Sequence, residues 1–240
     1  MTEEKETQKK EIFYPTSDGE PVAETYDHLY AILIILEVIR QYLKGRQATV
    51  LGNQFLYYLE EKPKERVAPD VMVIFDVEPG GRDSYQIWEE GSVPKVVFEI
   101  TSPSTKNEDK KRKLDLYQEI GIEEYWLFDP KGQWIKSQLL GYRLKNGVYE
   151  EIKDSRSEPL KLRLKVEGKL IGFYREDTGE KLLIPDELAE NLQLETLARQ
   201  EAEKRVEEER QRVEEERQRA LELEEKLARY RDRFGDLPEN

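Results

Sequence analysis

The sequence of 240 residues contains no cysteine and a single histidine, His28. Without cysteine the chain can form no disulfide bond, offers no thiolate ligand to a metal and has no cysteine nucleophile. One histidine also excludes a metal cluster built from several imidazoles. The lack of cysteine is compatible with a reducing compartment, and we expect a cytoplasmic protein.

Long apolar runs are missing as well. The first residues, MTEEKETQKKEIFYP, are polar and show no signal-peptide pattern. The longest apolar helix candidate, residues 29–39, is interrupted by Glu37 and is too short to span a bilayer. We therefore expect a protein without a membrane partner.

An excess of basic residues is also absent. The chain has 39 basic and 52 acidic side chains, a formal net charge of −13. Strong nucleic-acid binders usually carry a basic excess, so this balance counts against an enzyme that acts on DNA. A local basic patch could still form, for instance from KNEDKKRK at residues 106–113.

The last part of the chain lacks glycine and proline from Pro185 until Gly235. The segment RVEEERQ occurs twice in succession there, which predicts a long helix over residues 187–231. Two interpretations stay open, a solvated solitary helix and a coiled-coil homodimer with acidic companion positions at Glu209 and Glu216. The seam would use residues spaced by seven: Val206, Val213, Ala220 and Leu227.

Three segments follow from this division: a disordered N-terminus (1–11), a folded domain (12–185) and a charged helical tail (186–240). Within the domain, the pattern predicts an α/β or α+β fold with a mixed sheet. A strand, a helix and a strand between residues 95 and 128 imply a parallel strand pair. The predicted helices are 24–44 and 106–121. The predicted strands lie within 48–60, 68–77, 85–88, 95–101 and 123–130, followed by two hairpins, one around Asn146-Gly147 and one around residues 177–180.

Two of these strands carry an acid in an unusual place. Glu99 interrupts the apolar strand KVVFEIT, and alternation puts it on the face opposite Val96 and Phe98. Asp70 opens the strand over 68–77. A buried carboxylate needs compensation. A hard divalent cation with oxygen ligands could stabilise both acids, but each could equally pair with Lys or Arg, or cap a turn.

Three blocks together carry a family resemblance: PDVMVIFDV, then VVFEITSPST, then EDKKRKLDLYQEIGIEEYWLFDP. In this order and spacing they resemble the Uma-type family of predicted restriction endonucleases, within the PD-(D/E)xK nuclease superfamily. The resemblance covers about residues 12–185. It implies a restriction-endonuclease-like mixed sheet, DNA as substrate, and Mg²⁺ or Mn²⁺ as cofactor.

The resemblance also implies roles for individual residues. Asp70 and Glu99 match the metal-binding acids of the motif. The motif lysine should lie two residues after the Glu, but that position is Thr101, and family members instead carry a lysine on the next helix, one turn after an Asp. Asp109 and Lys113 match that arrangement, and their spacing places them on one helix face.

Four further residues are candidates near this site. Tyr117 extends the same helix face by another turn. Glu24 lies where superfamily members often add a metal ligand, and His28 follows it by one turn; Gln54 could reach the site from its strand. The leading interpretation is a metal-dependent DNA endonuclease. The alternatives are a catalytically inactive binding or assembly module that works through the C-terminal helix, and a nuclease that acts on RNA.

Overall fold

The computed structural model describes residues 12–19, 24–102 and 108–235, without the side chains of residues 108–110 and 234. The predicted disordered segment 1–11 lies outside these residues. The chain divides into two compact units, Met1–Pro185 and Asp186–Asn240. In chain order the elements are α1 (Tyr26–Tyr42), β1 (Ala48–Leu51), β2 (Phe55–Tyr57), β3 (Arg66–Val67), β4 (Val71–Phe75), β5 (Ser84–Gln86), α2 (Ile87–Glu90), β6 (Val96–Ile100), a π-helical segment (Glu108–Lys113), α3 (Leu114–Ile120), β7 (Glu124–Phe128), β8 (Leu139–Lys145), β9 (Val148–Ile152), β10 (Arg156–Ser157), β11 (Leu162–Glu167), β12 (Leu170–Arg175), β13 (Lys181–Leu182) and α4 (Pro185–Phe234).

A mixed six-stranded sheet forms the centre of the first unit, in the order β1-β4-β6-β7-β8-β9. Strands β6 and β7 are parallel, and the other neighbouring pairs are antiparallel. The predicted α+β class with a mixed sheet and the predicted parallel pair are confirmed. A four-stranded sheet (β10-β11-β12-β13) and a three-stranded sheet (β3-β2-β5) complete the unit.

Apolar side chains cover both faces of the central sheet. On one face α1 and the four-stranded sheet pack against the side chains of Val96, Phe98 and Ile100. On the other face α3 and the three-stranded sheet pack around Val97 and its neighbours. The alternation predicted for β6 is therefore confirmed, and Glu99 points to the α3 side.

Local signals placed several elements correctly. Asn146 (φ 51°) and Gly147 (φ 81°) have the left-handed backbone that a tight hairpin turn needs, and β8 and β9 pair on either side of them. Gly121 (φ 90°) ends α3.

The helix predicted over 106–121 is not uniform. Its described part begins as the π-helical segment Glu108–Lys113 and continues as α3. The pattern also missed α2, β3, β10 and β11. The first three are very short, whereas β11 has six residues, and its alternation of apolar and charged residues is a local signal that the prediction overlooked.

The second unit is the helix α4, 50 residues long. This confirms the long helix predicted for 187–231. Its apolar side chains, including Val206, Val213 and Leu227, are exposed. Pairing with a second copy stays a prediction. Across the ranges that the structure describes, no helix is both long and apolar enough to cross a lipid bilayer.

Gly141 in β8 allows close packing against Trp126, its partner in β7. A Cβ added at Gly141 would lie 2.5 Å from the Trp126 ring, which is 1% exposed and cannot move aside. We expect Gly141→Ala to lower the free energy of unfolding by about 1–3 kcal/mol, measured by urea denaturation. Gly172→Ala is the matched control, because its Cβ would meet only the carboxylate end of Glu167 (2.6 Å), a flexible, partly exposed side chain. Equal losses in the two variants would contradict this explanation.

Candidate active site

Asp70 and Glu99 lie side by side where two central strands meet. Val71 of β4 pairs with Phe98 of β6, and continuing this antiparallel register by one residue places Asp70 opposite Glu99. Directly opposed residues point to the same face of a sheet. The pairing of the two strands ends here, and the backbone N–H of Ile100 donates to Asp70 Oδ2 at 2.6 Å. The Asp70 carboxylate thus takes the place of a backbone acceptor and is held in one position.

Glu99 is 1% exposed and is compensated by two side chains of the following helix. Lys113 Nζ donates to Glu99 Oε2 at 2.8 Å, and the Tyr117 hydroxyl donates to Glu99 Oε1 at 2.6 Å. Burial, together with the charge on Glu99, raises the pKa of Tyr117 well above its ordinary value. Tyr117 therefore stays protonated and acts as a donor.

The helix geometry explains how Lys113 reaches the site. Lys113 is the last residue of the π-helical segment, and Tyr117 follows one α-helical turn later. The spacing of four residues puts both side chains on the face that looks at Glu99. π-Helical turns are rare and occur frequently at functional sites. The side chain of Asp109, the predicted partner of Lys113, lies outside the described part of the structure.

The start of α1 brings two more predicted residues to Asp70. His28 Nε2 lies 3.6 Å from Glu24 Oε2 and 3.8 Å from Asp70 Oδ2. Burial raises the pKa of Glu24, the nearby His28 opposes this, and the charge of Asp70 raises it further. Glu24, His28, Asp70 and Glu99 therefore belong to one cluster that contains three carboxylates.

Gln54 lies in the connection between β1 and β2. The N–H of its neighbour Asn53 donates to the carbonyl of Pro69, so this connection runs beside the residue before Asp70. Gln54 Oε1 is buried and accepts no hydrogen bond from the residues described. Its predicted place in the site stays a prediction.

Two other carboxylates are buried but were not predicted from the sequence, and each forms an ion pair or hydrogen bonds within the fold. Glu124 is fully buried and pairs with Arg143, whose Nε donates to Oε1 at 2.9 Å. Asp129 accepts backbone N–H groups from Lys131, Trp134 and Ile135. Glu124 begins its strand directly after Glu123, so it does not interrupt an apolar run as Glu99 does, and the residue pattern gave no sign of its burial.

Comparison with known protein families decides the identity of the fold family. A sequence model of the Uma2 family, described as "Putative restriction endonuclease", matches residues 3–170, well over half of the chain. The chain belongs to the Uma2 family. This confirms the resemblance seen in the sequence, and it supports a nuclease.

The chain was also compared with curated proteins and with solved structures. Among curated proteins, no match was found. One solved structure that matches is described as "a putative nuclease belonging to DUF820" from Anabaena variabilis ATCC 29413. It is 18% identical, with 57% of this chain and 72% of that chain covered and a TM-score of 0.41.

The donor atoms of the Uma2 chain fit the divalent cation that restriction-endonuclease-like enzymes use. In the part of the chain that is described, no group of three or more His, Cys, Asp or Glu side chains is arranged to hold a metal ion. Mg²⁺ does not need such a cage, because it is usually bound through one or two carboxylates, with water and substrate phosphate as the other ligands. Asp70 and Glu99 are the two carboxylates that the geometry offers, and Glu24 as a third ligand stays a prediction.

Proposed function

We propose that this Uma2 protein is a metal-dependent endonuclease that hydrolyses phosphodiester bonds in DNA. The observation that carries the proposal is the pair of carboxylates on adjacent strands, Asp70 and Glu99, with the ammonium of Lys113 held 2.8 Å from Glu99. Acidic side chains can hold the metal ion of metal-assisted phosphodiester hydrolysis, and a lysine beside them can stabilise the charge that develops on the phosphate. Membership of the Uma2 family supports the same reaction class.

A cation held by Asp70 and Glu99 would polarise the scissile phosphate and lower the pKa of a bound water. The chain's own residues then have distinct tasks. Lys113 is 13% exposed and can present its ammonium both to Glu99 and to an incoming phosphate oxygen. Tyr117 orients Glu99 through its hydroxyl, and the N–H of Ile100 orients Asp70. Both carboxylates are thus positioned before any ligand arrives.

The net charge of −13 overstates the electrostatic repulsion between the first unit and DNA. Of the charged residues, 18 acidic and 11 basic side chains belong to residues 186–240, so the tail carries about half of the net −13. The tail is a separate compact unit. We expect it to support self-association rather than substrate binding, and we expect a cytoplasmic location.

The test is a cleavage assay on supercoiled plasmid, linear duplex, single-stranded DNA and RNA, each with Mg²⁺, with Mn²⁺ and with EDTA. Plasmid nicking or linearisation that requires a divalent cation is the expected result. If only RNA is cleaved, the substrate is RNA instead of DNA, and the metal-dependent mechanism still holds. No cleavage with any metal would overturn the nuclease and favour the binding or assembly module.

Glu24 gives this proposal a pH-dependent test of stability. Its pKa is raised in the folded state, so the folded protein holds this proton more tightly than the unfolded chain does. The resulting stabilisation is complete below the ordinary value of 4.5 and is lost as pH rises through the raised folded pKa. In EDTA, we therefore expect Glu24→Gln to have a higher melting temperature than the wild type at neutral pH, and the same melting temperature below about pH 4.

Glu37→Gln, in the helix α1 that follows Glu24, is the control, and its stability should change with pH in the opposite direction. Hydrogen bonds from Gln41 lower the pKa of Glu37, with Arg40 adding to the effect, so its stabilisation is present above its ordinary pKa and is lost in acid. If Glu24 also binds the metal, the rise in melting temperature that Mg²⁺ causes in the wild type should shrink in Glu24→Gln. An undiminished rise would assign Glu24 and His28 to structure alone.

A further inference from the structure

A small cavity adjoins the carboxylate cluster. Its lining includes Thr25, His28, Thr101, Ser102, Lys131 and Trp134. His28 is the neighbour of Asp70, and Thr101 follows Glu99 by two residues along β6 and its extension. The cavity volume is about 60 Å³, about the liquid volume of two water molecules. Hydroxyl groups, the ammonium of Lys131 and the buried Asp129, whose carboxylate accepts backbone N–H groups, line this space, which is too small for a nucleobase.

Lys131, which lines this cavity, and Lys169, from a distant part of the chain, meet at Asp27 in the first turn of α1. Lys169 Nζ lies 2.8 Å and 3.0 Å from the two carboxylate oxygens of Asp27, and Lys131 Nζ lies 3.8 Å from Asp27 Oδ2. Both lysines are exposed, with 42% of the Lys131 side chain and 62% of the Lys169 side chain open to solvent. One carboxylate therefore holds two ammonium groups, and the three side chains together carry a net positive charge.

The backbone that presents these lysines is firmly built. The buried Asp129 carboxylate accepts the N–H groups of Lys131, Trp134 and Ile135, which shapes the loop after β7. Gln138 Nε2 lies within hydrogen-bonding distance of the carbonyls of Asp129, Pro130 and Gly168. Gly168 precedes Lys169 in the β11–β12 turn, so Gln138 ties the two lysine-bearing loops together.

Gln138 also has a left-handed backbone, with φ of 59°. Asp27, Gln138 and Asp129 together fix the two lysines relative to the cavity. A pre-organised pair of cations loses little conformational entropy when an anion binds.

We propose that Lys131 and Lys169 form a binding subsite for a backbone phosphate of the nucleic-acid substrate, next to the phosphate that is cut. In this subsite the incoming phosphate competes with Asp27 for the two ammonium groups. The acid keeps the lysines oriented and limits the affinity for anions. The subsite rests on the proposed nuclease function, because it takes its ligand from the same substrate.

The test measures binding of a short fluorescein-labelled single-stranded DNA to the full chain in EDTA, by fluorescence anisotropy at several salt concentrations. We expect the double variant Lys131→Ala/Lys169→Ala to bind about tenfold more weakly than the wild type. We also expect the slope of log affinity against log salt to be shallower by about 0.7 in the variant, because the subsite contacts one phosphate and each phosphate contact contributes about 0.7 for a single strand. Thermal denaturation of the variant checks that it is folded.

The variant Asp27→Asn should change the affinity for DNA in the opposite direction. It removes the acid that competes with the phosphate, so we expect tighter binding and a steeper salt dependence than in the wild type. If the lysines only stabilise the fold through their ion pairs with Asp27, this variant would bind no more tightly than the wild type. That outcome would overturn the subsite.

The matched control is Lys153→Ala/Lys165→Ala, which removes the same charge from exposed positions, including the outward face of β11. We expect it to bind like the wild type. An equal loss in this control and in the Lys131/Lys169 variant would show unspecific electrostatics and overturn the subsite.

A cleavage assay separates failure of the subsite from failure of the nuclease. With an active wild type, we expect Lys131→Ala/Lys169→Ala to raise KM for DNA with little change in kcat. An active wild type with unchanged KM in this variant would overturn the subsite alone. An inactive wild type that loses DNA binding in this variant, but not in the control, would overturn the nuclease and leave the phosphate subsite standing.

Discussion

Replacing Asp70 by Asn is expected to reduce metal-dependent cleavage of DNA by about 100- to 1,000-fold. A metal ion supplies several kcal/mol of transition-state stabilisation, and each 1.4 kcal/mol that is lost slows the reaction about tenfold. Asn keeps the size of the side chain, and its amide oxygen can still accept the N–H of Ile100, which Asp70 Oδ2 accepts at 2.6 Å. The substitution therefore removes the charge and leaves the strand ends in place.

Initial rates of plasmid nicking, measured over a range of Mg²⁺ concentrations, test this expectation. Glu37→Gln is the control, because it also removes one carboxylate, but from α1, where Glu37 forms an ion pair with Arg40 at the surface. We expect Glu37→Gln to cleave like the wild type. If the rate of Asp70→Asn stays within threefold of the wild type while its melting temperature is unchanged, Asp70 is no metal ligand.

The second large effect concerns stability. Glu124 is fully buried, and Arg143 lies directly opposite it on β8, with Nη2 2.8 Å from Oε1. The indole N–H of Trp126 and the backbone N–H of Glu158 donate to the same carboxylate. Removal of the Arg143 charge would leave a buried carboxylate without its cation. We expect Arg143→Met to lower the free energy of unfolding by about 3–5 kcal/mol.

Urea denaturation measures this loss, and two further variants identify its cause. Adding Glu124→Gln to Arg143→Met should recover part of the stability, because a neutral amide costs less to bury than an ion. Lys145→Met removes a cation from the same strand, where Lys145 pairs with Glu150 in solvent. That loss should stay below about 1 kcal/mol. A similar loss in Lys145→Met and Arg143→Met would show that burial of Glu124 is not the reason.

Features with a local physical cause could be predicted from sequence. The alternation of β6 places Glu99 on one face because strand side chains alternate at every residue. The tail is helical because a long stretch without glycine or proline carries charge pairs spaced by four, such as Arg199 and Glu203. The Asn146-Gly147 turn follows from the backbone conformations that these residues tolerate. The parallel β6/β7 pair follows from the helix between the two strands.

The candidate site was predictable where residue types, spacing and family resemblance agreed. Asp70 and Glu99 were named before the register showed that they are opposite each other. Lys113 and Tyr117 were placed one turn apart on one helix face, and both reach Glu99. The π-helical start of this helix was not predicted, because its backbone departs from the regular repeat.

The sequence by itself determined the α+β class and the long charged tail, because periodicity and turn chemistry act over a few residues. The roles of Asp70 and Glu99 were predicted from the family resemblance. Only the tertiary structure decided which buried acid receives which cation. Glu99 and Glu124 both lie on strands of the central sheet, yet one meets Lys113 and the other Arg143. Only the tertiary structure brought Lys169 to Asp27, across 142 positions of the chain. Contacts at such separations depend on how sheets and loops pack, and no local pattern carries that information.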